Sequence, residues 1–285
     1  MKVLRLSLLI ALVILRPAIS RGALMIRDYN AAQHYRFYGG SDKNFVGEPY
    51  DFSGVGYSNA GHWATLVSNN YFISATHYHP GTGETVTFWA TNDLTGPSYT
   101  YTVAGGSRIG TTDLWVGRFD TTVDSSIARY PLAMEPSASD YIDLVLYNYG
   151  LNQRVGRNVL EDLGSITVSP STGVAAWYDY DNNDSPSVGG DETFLQAGDS
   201  GAPSFTILNS ELSLIGVHWA VSTYLDGSPY GSIDTFVPEY YDDVNAVLAT
   251  GGQTLTAVPE PSAYWYALII ACSLGLSRRR RRNSP

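Results

Sequence analysis

The chain has 285 residues, 44% of them hydrophobic and only 15% charged, with a formal net charge of −10. That supplies apolar material for one large or two small cores, and charge of this sign argues against nucleic acid or anionic lipid as a partner. Rich in tyrosine, glycine, serine and threonine, with a single cysteine at Cys272, the composition suits a β-rich exported protein and excludes a disulfide scaffold or a cysteine-based metal site.

Lys2 and Arg5 precede an apolar run over 6–15, and Ala18-Ile19-Ser20 places small residues at the −3 and −1 positions of a signal-peptidase site. Residues 1–20 are expected to be a signal peptide and Arg21 the mature start; a retained anchor would need about twenty apolar residues. From there to about Tyr57 the chain reads as a polar, glycine-punctuated lead-in without chemistry. Residues 62–75 read as a hairpin around Ser68-Asn69-Asn70. Further strands are expected at 86–90, 99–104, 114–119, 141–147, 166–168, 204–208 and 212–220. Short strands at regular spacing, separated by turn signals, indicate barrels or a sandwich. One helix stands out over about 238–248, with Pro238 at its start, acids in the first turn and Tyr240, Val244, Val247 and Leu248 at helical spacing before Gly251. Residues 250–257 read as a small-residue linker.

Three stretches carry candidate chemistry. In Gln196-Ala197-Gly198-Asp199-Ser200-Gly201-Ala202-Pro203, glycines flank an Asp-Ser pair, which suits a sharp turn presenting peptide N–H groups and a hydroxyl to one point. Ile73-Ser74-Ala75-Thr76-His77-Tyr78 ends a predicted strand with a histidine, and Asp113 stands just before the apolar strand that begins at Leu114. Alone, each has a plainer reading: a polar loop, a structural histidine, a turn residue. Together they give His, Asp and Ser in an order that fits a cleft between two β-domains. A serine hydroxyl is a poor nucleophile until an imidazole takes its proton, and the acid fixes the imidazole tautomer and stabilises the imidazolium.

At these residues the sequence resembles the trypsin/chymotrypsin-like serine proteases. Residues 73–78 resemble the family's Leu-Thr-Ala-Ala-His-Cys, and 113–119 its Asp-Ile-Ala-Leu-Leu-x-Leu strand. Residues 198–203 match Gly-Asp-Ser-Gly-Gly-Pro except at Ala202. Ile215 to Ala220 is similar to the substrate-binding strand ending Ser-Trp-Gly, and 231–237 to the stretch before the C-terminal helix. The resemblance spans roughly 54–248 and implies an all-β fold of two six-stranded antiparallel barrels, about 54–125 and about 138–235, with the active site between them and a short C-terminal helix. It implies His77 as general base and then acid, Asp113 as its orienter, Ser200 as nucleophile, and the N–H groups of Gly198 and Ser200 as the oxyanion hole. Phe194, His218, Trp219 and Ala220 become the substrate-binding positions, and a polypeptide the substrate.

Departures from the family pattern refine this. Phe194 stands at the base of the specificity pocket, where an aromatic cannot pair with Lys or Arg, so small or apolar residues are expected there. His218 replaces a serine that supports the catalytic acid. Arg21 lacks the apolar start that follows activation cleavage, so Asp199 is expected to lack an ammonium partner. Beyond Val258, a Pro-Glu-Pro, a mostly apolar stretch over 263–276 and five arginines at 278–282 resemble the PEP-CTERM sorting signal. That resemblance covers 258–285 and implies transient membrane anchoring, recognition by an exosortase-type enzyme, and delivery to the surface, outer membrane or medium. Asp179, Asp181 and Asn183 alternate as oxygen ligands, but Asp184 and Gly190 stand where an EF-hand needs Gly and Glu. A solvated loop with no cofactor is the reading, and calcium the alternative. Two other functions stand beside the endopeptidase. A GDS-type esterase is disfavoured by the late serine block and few helices. A protease-like binding or adhesion module has no need for His, Asp and Ser together.

Overall fold

In the computed structural model, which describes residues 22–181 and 186–259, Val86 and Phe88 are buried while Thr85, Thr87 and Trp89, which alternate with them, are partly exposed. That is the alternation of a strand with one face on a core. The elements in chain order are β1 (Met25–Ile26), α1 (Ala31–His34), β2 (Val55–Ser58), β3 (Trp63–Leu66), β4 (Tyr71–Ala75), β5 (Thr85–Trp89), β6 (Ser98–Arg108), β7 (Leu114–Phe119) and β8 (Leu132–Met134). There follow β9 (Val145–Gly150), β10 (Arg154–Val159), β11 (Asp162–Val168), β12 (Ser171–Asp179), β13 (Thr193–Phe194), β14 (Pro203–Leu208), β15 (Glu211–Thr223), β16 (Pro229–Phe236), α2 (Tyr241–Ala249) and β17 (Ala257–Pro259).

The first half closes into a six-stranded barrel in the order β2-β3-β4-β7-β6-β5, with β5 returning to pair with β2. Closure leaves it no free edge. Leu66, Phe72, Val86, Phe88, Val103 and Phe119 belong to one buried cluster of this barrel. The second half is a nine-stranded sheet running β10-β9-β14-β15-β16-β12-β11, with β8 parallel to β15 and β17 parallel to β8.

The fold is therefore all-β in two bodies, as expected, corrected in one respect: the second is a half-barrel sheet and not a closed barrel. Its edge strands β10 and β11 meet only at the corner, where Leu160 still bonds Leu144 while Glu161 has crossed to Trp177 of β12. Most of β11 is exposed, so it lacks the second apolar face that full closure would bury. A shared cluster containing Phe52, Trp63, Ile73, Leu114, Tyr149, Phe205 and Val217 joins the two bodies along their seam. The expected helix begins with a 3-10 turn, Val237–Tyr240, before α2 buries Val244 and Leu248.

Two segments are more ordered than their composition indicates. The lead-in is a strap: β1 pairs with β13, Phe37, Phe45 and Phe52 are buried, and fully buried Arg36 donates to Asn92 Oδ1, Trp89 O and Thr91 O of the first body and to Tyr149 OH of the second. The expected linker docks as well, with Leu255 buried and Leu132 N–H donating to Thr256 O at 2.9 Å, and Val258, the first residue of the expected sorting segment, is buried after it. The expected signal peptide and the sorting segment from residue 260 lie outside the described residues. Among the described residues no helix is long and apolar enough to cross a membrane.

Candidate active site

β4 and β7 pair with Ala75 opposite Leu114, so the residues just beyond the end of β4 meet those just before β7. That brings His77 and Asp113 together, with Nδ1 of His77 2.6 Å from Asp113 Oδ2. Asp113 is fully buried, and its Oδ1 accepts from His77 N–H at 3.1 Å and from Ser171 Oγ at 3.4 Å. Ser171 in turn accepts from Arg108 Nη2 at 2.8 Å, which turns its own proton toward the carboxylate. A buried carboxylate so placed favours the tautomer of His77 with its proton on Nδ1 and leaves the lone pair on Nε2. The His77 side chain is 40% exposed, and among the described residues its Nε2 has no hydrogen-bond partner.

The loop carrying Ser200 is fixed by two glycines in the left-handed region, Gly198 at φ 106° and Gly201 at φ 84°. A Cβ on Gly201 would stand 2.7 Å from Ser74 Oγ and 2.8 Å from Tyr78 O, so the loop lies directly on the segment that carries His77. Trp63 of the first barrel donates its indole N–H to Gly198 O at 2.9 Å, and Gly201 N–H donates to His218 O at 3.0 Å. Ser200 is partly exposed; among the described residues its hydroxyl makes no hydrogen bond, to His77 or otherwise. The N–H groups of Gly198 and Ser200 likewise have no acceptor among the described residues, whereas Asp199 N–H donates to Gln196 O and Ala202 N–H to Asp199 O.

Asp199 is buried behind the loop. Its oxygens accept from Leu151 N–H at 2.6 Å and Gln196 N–H at 2.7 Å, backbone amides where the family pattern has an ammonium. Burial pushes its carboxyl up to about 6, against the pull of those amides, His218 and Arg154.

No family model matches the chain, and no curated protein matches it. Among solved structures it is similar to the protease domain of MamO from Magnetospirillum magneticum in its apo form, with a TM-score of 0.46 and 14% identity, over 70% of this chain and 96% of that one.

His218 sits differently from its expected role. Its ring is fully buried, with Nδ1 2.7 Å from Asp234 Oδ1 and Nε2 2.9 Å from Tyr149 O. With acceptors at both nitrogens, both donate and the ring is an imidazolium. Burial pulls its pKa down, but the Asp234 charge and hydrogen bond, then Asp199 and Tyr149 O, outweigh it and the net shift is upward. A bulge in β15 between His218 and Ala220 explains the placement: Trp219 is the extra residue, and His218 faces Asp234 directly across the ladder to β16. The ring therefore neither touches a substrate in the cleft nor holds Asp113, which Ser171 holds instead. Trp219 is buried, Ala220 partly exposed, and Phe194 buried on β13 with its ring 5.9 Å from Tyr180.

The calcium candidates separate. Asn183 lies outside the described residues, whereas one oxygen each from Asp179, Asp181 and Glu192 lie within 4.8 Å of one another. Glu161 stands beside them, its carboxyl pushed up to about 8 by burial and by a hydrogen bond to Asp179. Nothing local in the sequence joins Glu161 and Glu192 to this loop; the pairing of β11 with β12 and a bridge between Arg157 and Glu192 do so.

Proposed function

We propose that the chain is a serine endopeptidase that hydrolyses peptide bonds through an acyl-enzyme on Ser200. The observation that carries this reading is the His77–Asp113 pair with its bare Nε2, set against a loop whose two N–H groups are unspent. Ser200 Oγ attacks the scissile carbonyl carbon while its proton passes to His77 Nε2, and Asp113 stabilises the imidazolium. The new oxyanion takes the Gly198 and Ser200 N–H groups; losing one such donor costs about 10²–10³ in rate. His77 then protonates the leaving amine, and water, deprotonated by the same nitrogen, releases the acyl group. The Ser200–His77 hydrogen bond forms as substrate seats, since catalytic hydrogen bonds commonly tighten only in the complex. Phe194 favours small or apolar side chains over Lys or Arg at the scissile position.

The signal peptide and the PEP-CTERM-like tail give this enzyme an exported location, held briefly at the membrane and finished by an exosortase-type enzyme at the surface, outer membrane or beyond. The second reading, a protease-like binding module with little or no activity, draws on the missing Ser200–His77 bond. Casein digestion by the chain and by its Ser200→Ala variant separates the two. Cleavage by the parent alone supports the endopeptidase, and a folded, inert parent supports the module.

A further inference from the structure

A second cluster of chemistry lies away from His77, on the flank of the second body. We propose that Asp179, Asp181 and Glu192, with Glu161 beside them, form a calcium site that braces the chain leading into the nucleophile loop. The site does not depend on the endopeptidase reading.

The donor set favours calcium among hard cations. The three carboxylates bring one oxygen each within 4.8 Å of one another. Calcium takes about six to eight oxygens in flexible geometry and suits several protein carboxylates at once, whereas magnesium usually keeps several waters and only one or two carboxylates. The donor set is all carboxylate, without imidazole or thiolate, which selects a hard cation over zinc or copper.

Two of these carboxylates also hold oxygens without donors. Both oxygens of Asp181 and Oε2 of Glu192 are buried without a hydrogen bond, and Glu192 is only 1% exposed. Burying carboxylate oxygens without donors is costly, and three such oxygens in one group fit a cation-binding role. Ser187 Oγ serves the other Glu192 oxygen. Arg27 reaches Glu192 Oε2 at 3.8 Å, but the same Nη2 donates to Tyr180 O at 3.0 Å and the guanidinium lies over the Tyr180 ring. One shared guanidinium against four carboxyl groups leaves the cluster short of positive charge.

Two of the three ligands stand on fixed backbone. Asp179 closes β12 opposite Gly231, and its carbonyl accepts from Asn158 Nδ2 at 2.8 Å. Glu192 bridges to Arg157, and its carbonyl accepts from Arg27 N–H at 3.0 Å. Glu192 precedes Phe194 on the run to Ser200, and Tyr180, between the two aspartates, contacts the Phe194 ring. A cation bound here ties the end of β12 to the segment that enters the active loop.

The test uses the full-length chain stripped with EDTA and titrated with CaCl₂ or, separately, MgCl₂, followed by thermal melting and calorimetry. Terbium luminescence sensitised through Trp177 and Tyr180 gives a third readout. Saturation by one calcium with a rise in Tm is expected, with magnesium needing at least about tenfold more. Asp181→Asn and Glu192→Gln should each weaken calcium at least about tenfold. In EDTA, Asp181→Asn should melt no lower than the parent, because neutralisation relieves carboxylate repulsion. A parent without saturable calcium binding, or folded variants that bind it as tightly as the parent, overturns the proposal. Should either variant fail to fold, the parent titration decides alone.

Discussion

Two of the His–Asp pairs among the described residues have nearly the same length. His77 and Asp113 meet at 2.6 Å in the cleft, and His218 and Asp234 at 2.7 Å inside the second body. In both, Nδ1 faces the carboxylate; the difference lies in what Nε2 meets. In His218 it is capped by Tyr149 O and the ring has no exposure, so the pair is a fixed charge that organises Ser204, Tyr178 and the strands around it. In His77 it opens on the cleft beside the serine loop. A His–Asp bond therefore does not by itself mark a site: of these two rings, only His77 keeps a nitrogen without a hydrogen-bond partner among the described residues.

Neutralising each acid should separate the roles. Asp113→Asn is expected to lower kcat by about 10⁴, since the imidazole is then held in the wrong tautomer, while leaving Tm within a few degrees of the parent. Asp234→Asn is expected to do the reverse at the structural pair, costing about 3–5 kcal/mol in denaturant unfolding by stranding a buried imidazolium. An Asp113→Asn chain that unfolds, or an Asp234→Asn chain of parental stability, would break the contrast.

The pH dependence follows the same division. The folded pKa of His218 is raised above its ordinary 6.5, so the folded state binds its proton more tightly than the unfolded one. Its stabilisation is complete below about pH 6.5 and is lost as pH rises through the raised value. The stability gap between the parent and His218→Gln, measured by urea unfolding, should therefore narrow as pH climbs from about 6.5 upward. A gap independent of pH would mean that the ring is neutral in the fold.

The smallest effects concern single hydrogen bonds. Trp63→Phe keeps the ring bulk but deletes the bond to Gly198 O, and should cost about 1 kcal/mol of stability with a lower kcat. Ser171→Ala removes a 3.4 Å bond to Asp113, and a drop of about two- to tenfold in kcat at unchanged KM is expected. A kcat untouched in Ser171→Ala would leave Asp113 held by the His77 backbone alone.

What could be read in advance was what lies close in sequence. His77 follows a strand that ends at Ala75, Asp113 precedes one that begins at Leu114, and the Gly198–Gly201 turn is written in its glycines, so each local signal survived folding. What escaped was set by pairing across the sheet. Ser171 reaches Asp113 only because β12 packs beside the β6–β7 turn, through contacts such as Thr172 N–H to Thr111 O. His218 turned inward because of a bulge that its sequence does not announce. The strap was hidden by its polarity: Arg36 reads as a surface residue, yet it is fully buried because carbonyl and side-chain acceptors from both bodies converge on it. The half-barrel was missed for the complementary reason, since β11 has apolar residues enough for a strand but not for a second buried face.

The most direct measurement is intact-mass analysis after a fluorophosphonate probe is added to the parent, Ser200→Ala and His77→Ala. One adduct on the parent, mapped to Ser200, with none on Ser200→Ala and strongly slowed labelling of His77→Ala, is the predicted result. A folded parent that takes no adduct, or labelling that persists in Ser200→Ala, would contradict a nucleophilic Ser200 activated by His77.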